Sequence, residues 1–420
     1  MSRELTEPDQ AGPRDEQQEP HADDPFFGDA ISAEWNACIG PQGLEVNYVE
    51  GYVSAARYLV ETLLEKRDYA RRDTLAMPIL YNARHGIELA LKFAVGHLAK
   101  VGRIKPLPRT NHDIEACWKH LVEEHVGDEA LRSHVADLKP FVDSLAAIDA
   151  DGQELRYFHN RDGRPSLRDR PLMNLVVVRH SIVRLQGLIE QLIGRTMDLC
   201  EEVRTATTTA ELSNSDLRTI TDLLPLRVDW KRSVFDEAKA EICRRYGLSG
   251  KKFSRALDAI QGDRGLAGRL GVTSELAHLT ASDVDRVVEA WTAYHAAGLR
   301  RRGRRAGAAI VNAAELMDEV RRIDSSGRME VLEGLTAALG QGSIADLRTV
   351  FYLGRERLPA PCYEWYLSDQ RTTVERSGPN RAVADMLEKI NLLRCLKDGL
   401  AGLGATHLAA RVPEETPLAG

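Results

Sequence analysis

The sequence predicts an all-α protein: an antiparallel helical bundle followed by a second helical region. Three observations carry this expectation. Apolar residues recur at three- and four-residue spacing over long segments, the pattern of one buried helix face. Aromatic residues make up only 6% of the 420 residues while Leu, Ala, Arg and Glu are abundant, a composition weighted toward helix over strand. No segment alternates apolar and polar residues with the two-residue period of a half-buried strand.

Residues 1–25 hold eight Asp and Glu against Arg3 and Arg14, together with Pro8, Pro13, Pro20 and Pro25. With almost nothing to bury, they predict a disordered acidic tail. This tail holds six of the chain's seven net negative charges, so the remainder is nearly neutral and overall charge is silent about a nucleic-acid partner. Phe26 and Phe27 mark where a folded region of residues 26–204 begins.

Tyr52, Ala55, Ala56, Leu59, Val60, Leu63 and Leu64 share one face of a first helix. A second runs from about Thr74 to Val101, with Ile79, Ala83, Ile87, Leu91 and Leu98 inward, and Gly102, Pro106 and Pro108 end it. Asn111 is the expected N-cap of a third helix, Asp113–Glu124, whose Ile114, Cys117, Trp118 and Leu121 lie on one side. One short helix is expected near 128–148, then a loop from Arg156 to Pro171, rich in Arg, Asp, Gly and Pro. A long helix, Leu172–Arg204, closes the region with Leu175, Val178, Ile182, Leu185, Ile189 and Leu192 inward.

Residues 205–214 carry four Thr and a Ser and predict a linker. Residues 215–420 predict a helical C-terminal region, with helices near 229–246, 250–261, 281–297, 308–340, 342–355 and 379–402 and a subdomain division near Gly250–Gly271.

Composition narrows the function classes. Apolar residues at 43% and charged residues at 28% describe a folded globular chain. No run of 18 uncharged apolar residues occurs and the N-terminus lacks an apolar signal core, so no membrane association and a cytoplasmic address are expected. Cys38, Cys117, Cys200, Cys243, Cys362 and Cys395 never form Cys-x-x-Cys, so neither a zinc site nor paired disulfides are expected, and no metal or cofactor is indicated. Walker-type glycine loops, dinucleotide fingerprints, His-Glu-x-x-His helices and Gly-x-Ser-x-Gly elbows are missing, which sets those enzyme classes aside.

The most informative stretch is Tyr-Asn-Ala-Arg-His-Gly-Ile-Glu-Leu-Ala-Leu-Lys at residues 81–92. Glu88 precedes Lys92 by four residues, the favourable helical orientation, and Arg84 precedes Glu88 by four. The plainer reading is a solvated ion ladder worth a few tenths of a kcal/mol per pair. The functional one is a groove where Arg84, His85, Glu88 and Lys92 face His112 and Arg156 and hold a phosphate or a base. The loop Arg156-Tyr-Phe-His159-Asn-Arg-Asp162 adds Tyr157 as a stacking surface beside a cation and an imidazole.

The order of an apolar helix with Glu88-Leu-Ala-Leu-Lys92, then His112-Asp113-Ile114, then Leu155-Arg156-Tyr157 ahead of a final long helix resembles the HEPN superfamily over about residues 50–200. The resemblance implies a four-helix bundle that pairs with a second copy, an RNA or nucleotide ligand or a protein partner, and a bacterial defence or toxin–antitoxin setting. Nuclease members carry an Arg separated from a His by four to six intervening residues on the last helix. Imidazole moves the 2'-hydroxyl proton while guanidinium steadies the phosphate. Only Arg14 and His21 have that spacing here, and they lie in the acidic tail. The sequence therefore favours a binding module over an enzyme. The alternative is a metal-independent endoribonuclease using Arg156 and His159, completed by Arg84 or Lys92.

Three further motifs stand apart. Arg300, Arg301, Arg302, Arg304 and Arg305 form the densest basic run, read either as a phosphate-contacting patch or as a solvated turn. Leu266–Thr273 resembles the opening of a helix-turn-helix whose recognition helix would be Ser274–Leu279. Leu347-Arg-Thr-Val-Phe-Tyr-Leu-Gly-Arg-Glu356 resembles the central helix of a small bacterial domain of unknown function, with Gly354 expected as its C-cap and Arg355 near the negative end of its dipole.

Overall fold

A computed structural model describes residues 33–108, 112–159, 163–167, 170–304 (backbone alone over 296–304) and 327–414. Among them the fold is all-α, with no strand and one isolated antiparallel bridge between His159 and Pro165. The expected acidic tail lies outside the described residues. The chain divides into residues 1–48 and 49–420. In the first, the described part holds single 3-10 turns at Ala33–Trp35 and Gly40–Gln42 and opens helix α1, Glu45–Glu65.

From Val49 onward α1 buries Val49, Val53, Ala56, Val60 and Leu63, a face turned slightly from the predicted one, so that Tyr52 and Leu59 are only half-buried. Helix α2, Arg72–Lys100, is buried along most of its length by Ile79, Ile87, Leu91, Phe93, Ala94 and Leu98. At Gly86 a Cβ would overlap the Val53 Cγ2 methyl, so glycine lets α1 lie close against α2. Helix α3, Ile114–Glu123, starts one residue later than predicted. Its N-cap is Asp113, which accepts from the Ala116 amide at 3.0 Å. The predicted helix at 128–148 is two, α4 (Glu129–Asp137) and α5 (Lys139–Ala146), because Pro140 starts a new helix more readily than it continues one. The described residues between 147 and 174 carry no helix, and α6, Leu175–Thr205, begins where Asn174 caps the amides of Val176 and Val177. Among the described residues α2 and α6 are the two longest helices and pack against each other, with α3, α4 and α5 completing the bundle.

Residues 206–213 are unhelical but fastened. Arg103 donates to the Thr209 carbonyl, Thr207 Oγ1 to Asp263 at 2.7 Å, and Leu212 is buried. Helix α7, Asn214–Leu223, opens with a capping box between Ser213 and Asp216. It shares a core with α8 (Ser233–Tyr246), α9 (Gly250–Gly262) and α10 (Arg264–Arg269), built on Leu217, Ile220, Ile242, Phe253, Ile260 and Leu270. A second core gathers α11 (Ala281–Arg304), α12 (described over 327–338), α13 (Gln341–Glu356), α14 (Tyr363–Ser377), α15 (Pro379–Leu387), α16 (Leu392–Gly402) and α17 (Thr406–Ala409). Gly250–Gly271 thus belongs inside the first of these cores, and the change of core falls between Leu270 and Leu279.

Two expectations change here. Residues Ser274–Leu279 form no recognition helix, because their amides are engaged elsewhere: Ser274 by the Gly404 carbonyl (3.0 Å), Ala277 by Tyr363 Oη (2.9 Å), His278 and Leu279 by Asp346 Oδ2 (2.8 and 2.9 Å). Gly354 is not a C-cap. Helix α13 runs on to Glu356 and ends at Arg357 in the left-handed region, φ 55°. Gly354 instead meets Gly399 where α13 crosses α16: a Cβ on it would fall on the Cys395 carbonyl oxygen and 2.6 Å from the Gly399 nitrogen.

Candidate functional site

One face of α2 carries Tyr81, His85, Glu88 and Lys92 at spacings of four, three and four residues, so their side chains form a single stripe. Glu88 is its centre and is 2% exposed. Its Oε1 accepts from Lys92 Nζ at 2.7 Å and from His112 Nδ1 at 2.9 Å, and its Oε2 from Arg84 Nη1 at 3.0 Å. His85 Nδ1 lies 3.7 Å from Oε2. The predicted ion ladder exists, but it is buried at its core rather than solvated. Burial alone would raise the Glu88 carboxyl; the bonds from His85, Lys92 and His112 and the Lys92 charge outweigh it and hold the group well below the usual carboxylate range.

Arg84 does not face a groove. Its guanidinium is 1% exposed and reaches beneath the turn after α5, donating to the carbonyls of Asp149 (2.7 Å), Ala150 (2.8 Å) and His112 (2.5 Å). Asp149, itself buried, places a carboxylate oxygen 3.7 Å from Arg84 Nε and caps the amides of Glu154 and Leu155. Gly152 completes the turn at φ +78°, where a Cβ would sit 3.1 Å from the Arg84 guanidinium. Arg84 therefore ties α2, the start of α3 and the 149–155 turn into one unit, a positioning role.

Because ionised Glu88 can only accept, His112 Nδ1 is the donor, and the other ring edge belongs to a side chain that is 65% exposed. His85 is held from both sides: Tyr52 of α1 packs edge-on at 4.4 Å between centroids, and Tyr81 stacks on it at 5.6 Å and 8°. The Arg156 guanidinium lies between two rings, 5.9 Å from the Tyr81 centroid and 5.7 Å from that of Tyr157, with Nε donating to the Gly152 carbonyl. Tyr157 is 57% exposed. A chain of contacts thus runs Tyr157, Arg156, Tyr81, His85, Glu88, Lys92 and His112, with aromatic surface at one end and an ammonium and an imidazole at the other.

His159 is placed differently. Its ring packs edge-on against Phe158 at 4.8 Å, and among the described residues no hydrogen bond or ion pair joins it to Glu88, Lys92, His112 or Arg156. Residues 160–162 lie outside the described part. Arg300, Arg301, Arg302 and Arg304 fall on the backbone of α11, which extends past the predicted end at 297; Arg305 lies outside the described residues.

Sequence reasoning missed Tyr52, Tyr81 and Asp149. Tyr81 was legible, since it stands four residues before His85; Asp149 carries no local signal, being brought to Arg84 only by the path of the chain. No group of three or more His, Cys, Asp or Glu is arranged to hold a metal ion among the described residues. No helix there is long and apolar enough to cross a membrane. Comparison with protein-family models, curated proteins and solved structures gave no match to this chain.

Proposed function

We propose that this chain is a HEPN-like module that binds single-stranded RNA or a nucleotide through the α2 stripe and the 149–159 segment. The observation that carries the reading is the juxtaposition of Tyr157, Arg156 and Tyr81 with Lys92 and His112, both oriented by buried Glu88. Aromatic and guanidinium planes stack bases whatever their identity. The lysine supplies donors for a phosphate, and the outward Nε2 of an imidazole whose Nδ1 donates to Glu88 accepts from a ribose hydroxyl or a base N–H. Glu88 is too acidic to take a proton near neutral pH, so its part is to hold those groups still. The resemblance extends the proposal to a homodimer, with a protein partner in a bacterial defence or toxin–antitoxin system. An endoribonuclease using Arg156 and His159 has less support, because Arg156 is already engaged by Gly152, Tyr81 and Tyr157.

The test is fluorescence anisotropy with a labelled single-stranded RNA. Binding should weaken about tenfold in Tyr157→Ala, the cost of one lost stacking platform. It should also fall with salt, less steeply in Lys92→Gln. Absence of any shift at low salt removes the reading; a shift accompanied by cleavage that His159→Ala abolishes moves the assignment to the nuclease.

A further inference from the structure

Beyond Lys92, the same face of α2 continues as Val95, Gly96, Ala99 and Lys100. It forms one wall of an open hollow of about 510 Å³, lined opposite by Pro106, Leu107 and Cys117. That volume lies in the range of small-molecule sites, about 300–1,000 Å³. The walls between the two lysines are apolar or small, and no carboxylate lines them. A Cβ at Gly96 would meet nothing within 4 Å, so the space above this glycine is open.

The two cations at the ends differ. Lys92 is held by Glu88. Among the described residues no ion pair engages Lys100, which stands two turns further on, about 12 Å along the helix at 1.5 Å per residue. An apolar trough with an uncommitted cation at one end and no hydrogen-bonding side chain along its walls is poorly suited to reading the edges of a base. It suits a molecule with one anionic end and an apolar body. We infer that this hollow binds a small amphipathic anion, a carboxylate or phosphate monoester at Lys100 with its hydrocarbon part against Val95, Ala99, Pro106 and Leu107. The inference is independent of RNA binding at the aromatic end of the stripe.

Isothermal titration of the full chain with decanoate, decyl phosphate and uncharged decanol, each below its aggregation threshold, tests it. Both anions should bind saturably at one site per chain. Decanol should bind several-fold more weakly. Gly96→Leu fills the trough on the solvent side of the helix and should abolish binding of all three while leaving the circular dichroism spectrum and melting temperature as in the parent. Lys100→Gln should weaken the two anions about threefold, as expected for losing one exposed ion pair, and leave decanol unchanged. A preference for one anion over the other tells carboxylate from phosphate. No saturable binding, or binding that survives Gly96→Leu, overturns the site; decanol binding equal to that of the anions overturns the role of Lys100.

Discussion

Replacing Glu88 by Gln changes almost no volume but removes the one acceptor around which the site is organised. The carboxylate accepts on both sides, from Lys92 and His112 on Oε1 and from Arg84 on Oε2. An amide accepts on one side only and presents N–H to donors on the other. Arg84, at 1% exposure, would keep its carbonyl partners but lose the counter-charge closest to it. Breaking a buried ion pair from one side costs about 3–5 kcal/mol. The lower end, about 3 kcal/mol, applies here because Lys92 and His112 reach water and can be rehydrated.

The pH dependence carries the sign. The Glu88 carboxyl lies below its ordinary value of 4.5 in the folded chain, so its contribution is complete above about pH 4.5 and is lost as pH falls through the folded value. Urea unfolding followed by circular dichroism should give a constant deficit for Glu88→Gln between pH 7 and about pH 5, and a shrinking one towards about pH 3. A variant within about 0.5 kcal/mol of the parent at pH 7, the scatter of ordinary surface changes, refutes the argument. So does a deficit unchanged by acid.

Gly354→Ala should destabilise the C-terminal core by about 3 kcal/mol or more, since the added methyl lands on main chain of α16 that has no side chain to move aside; a melting temperature within a degree of the parent contradicts this. Burial, with the charge of Asp128, raises the Asp216 carboxyl from 3.8 to about 6. Its stabilising contribution is therefore present below about pH 3.8 and lost as pH rises through about 6, so the parent should lose about 2–3 kcal/mol relative to Asp216→Asn over that interval; parallel pH profiles count against it. Asp346→Ala strips the acceptor from the His278 and Leu279 amides and from Tyr363 Oη, and should cost about 2–4 kcal/mol and speed hydrogen exchange at residues 277–279; unchanged exchange there argues against the clamp.

Helix existence was legible wherever an apolar stripe was long enough to read, as in α1, α2, α6 and α13. Short helices escaped: α10 spans six residues, and α14 buries only Tyr363, Leu367, Gln370 and Val374 of its fifteen, too sparse a stripe to stand out among its polar residues. The stripe from His85 to Lys92 was also legible, because residues three and four apart on a helix share a face whatever surrounds them.

What the sequence alone determined, then, is local: which segments coil, which face each buries, and that Arg84, Glu88 and Lys92 are neighbours. Burial is not local, and only tertiary structure decided that Arg84 is sealed under the Asp149–Gly152 turn, that Arg156 reaches Tyr81, and that His159 does not join them. Those outcomes depend on where a loop some sixty residues downstream returns to α2. For the same reason Gly354 reads as a helix terminator until α16 is laid across it: a missing side chain has no meaning until its neighbour is known.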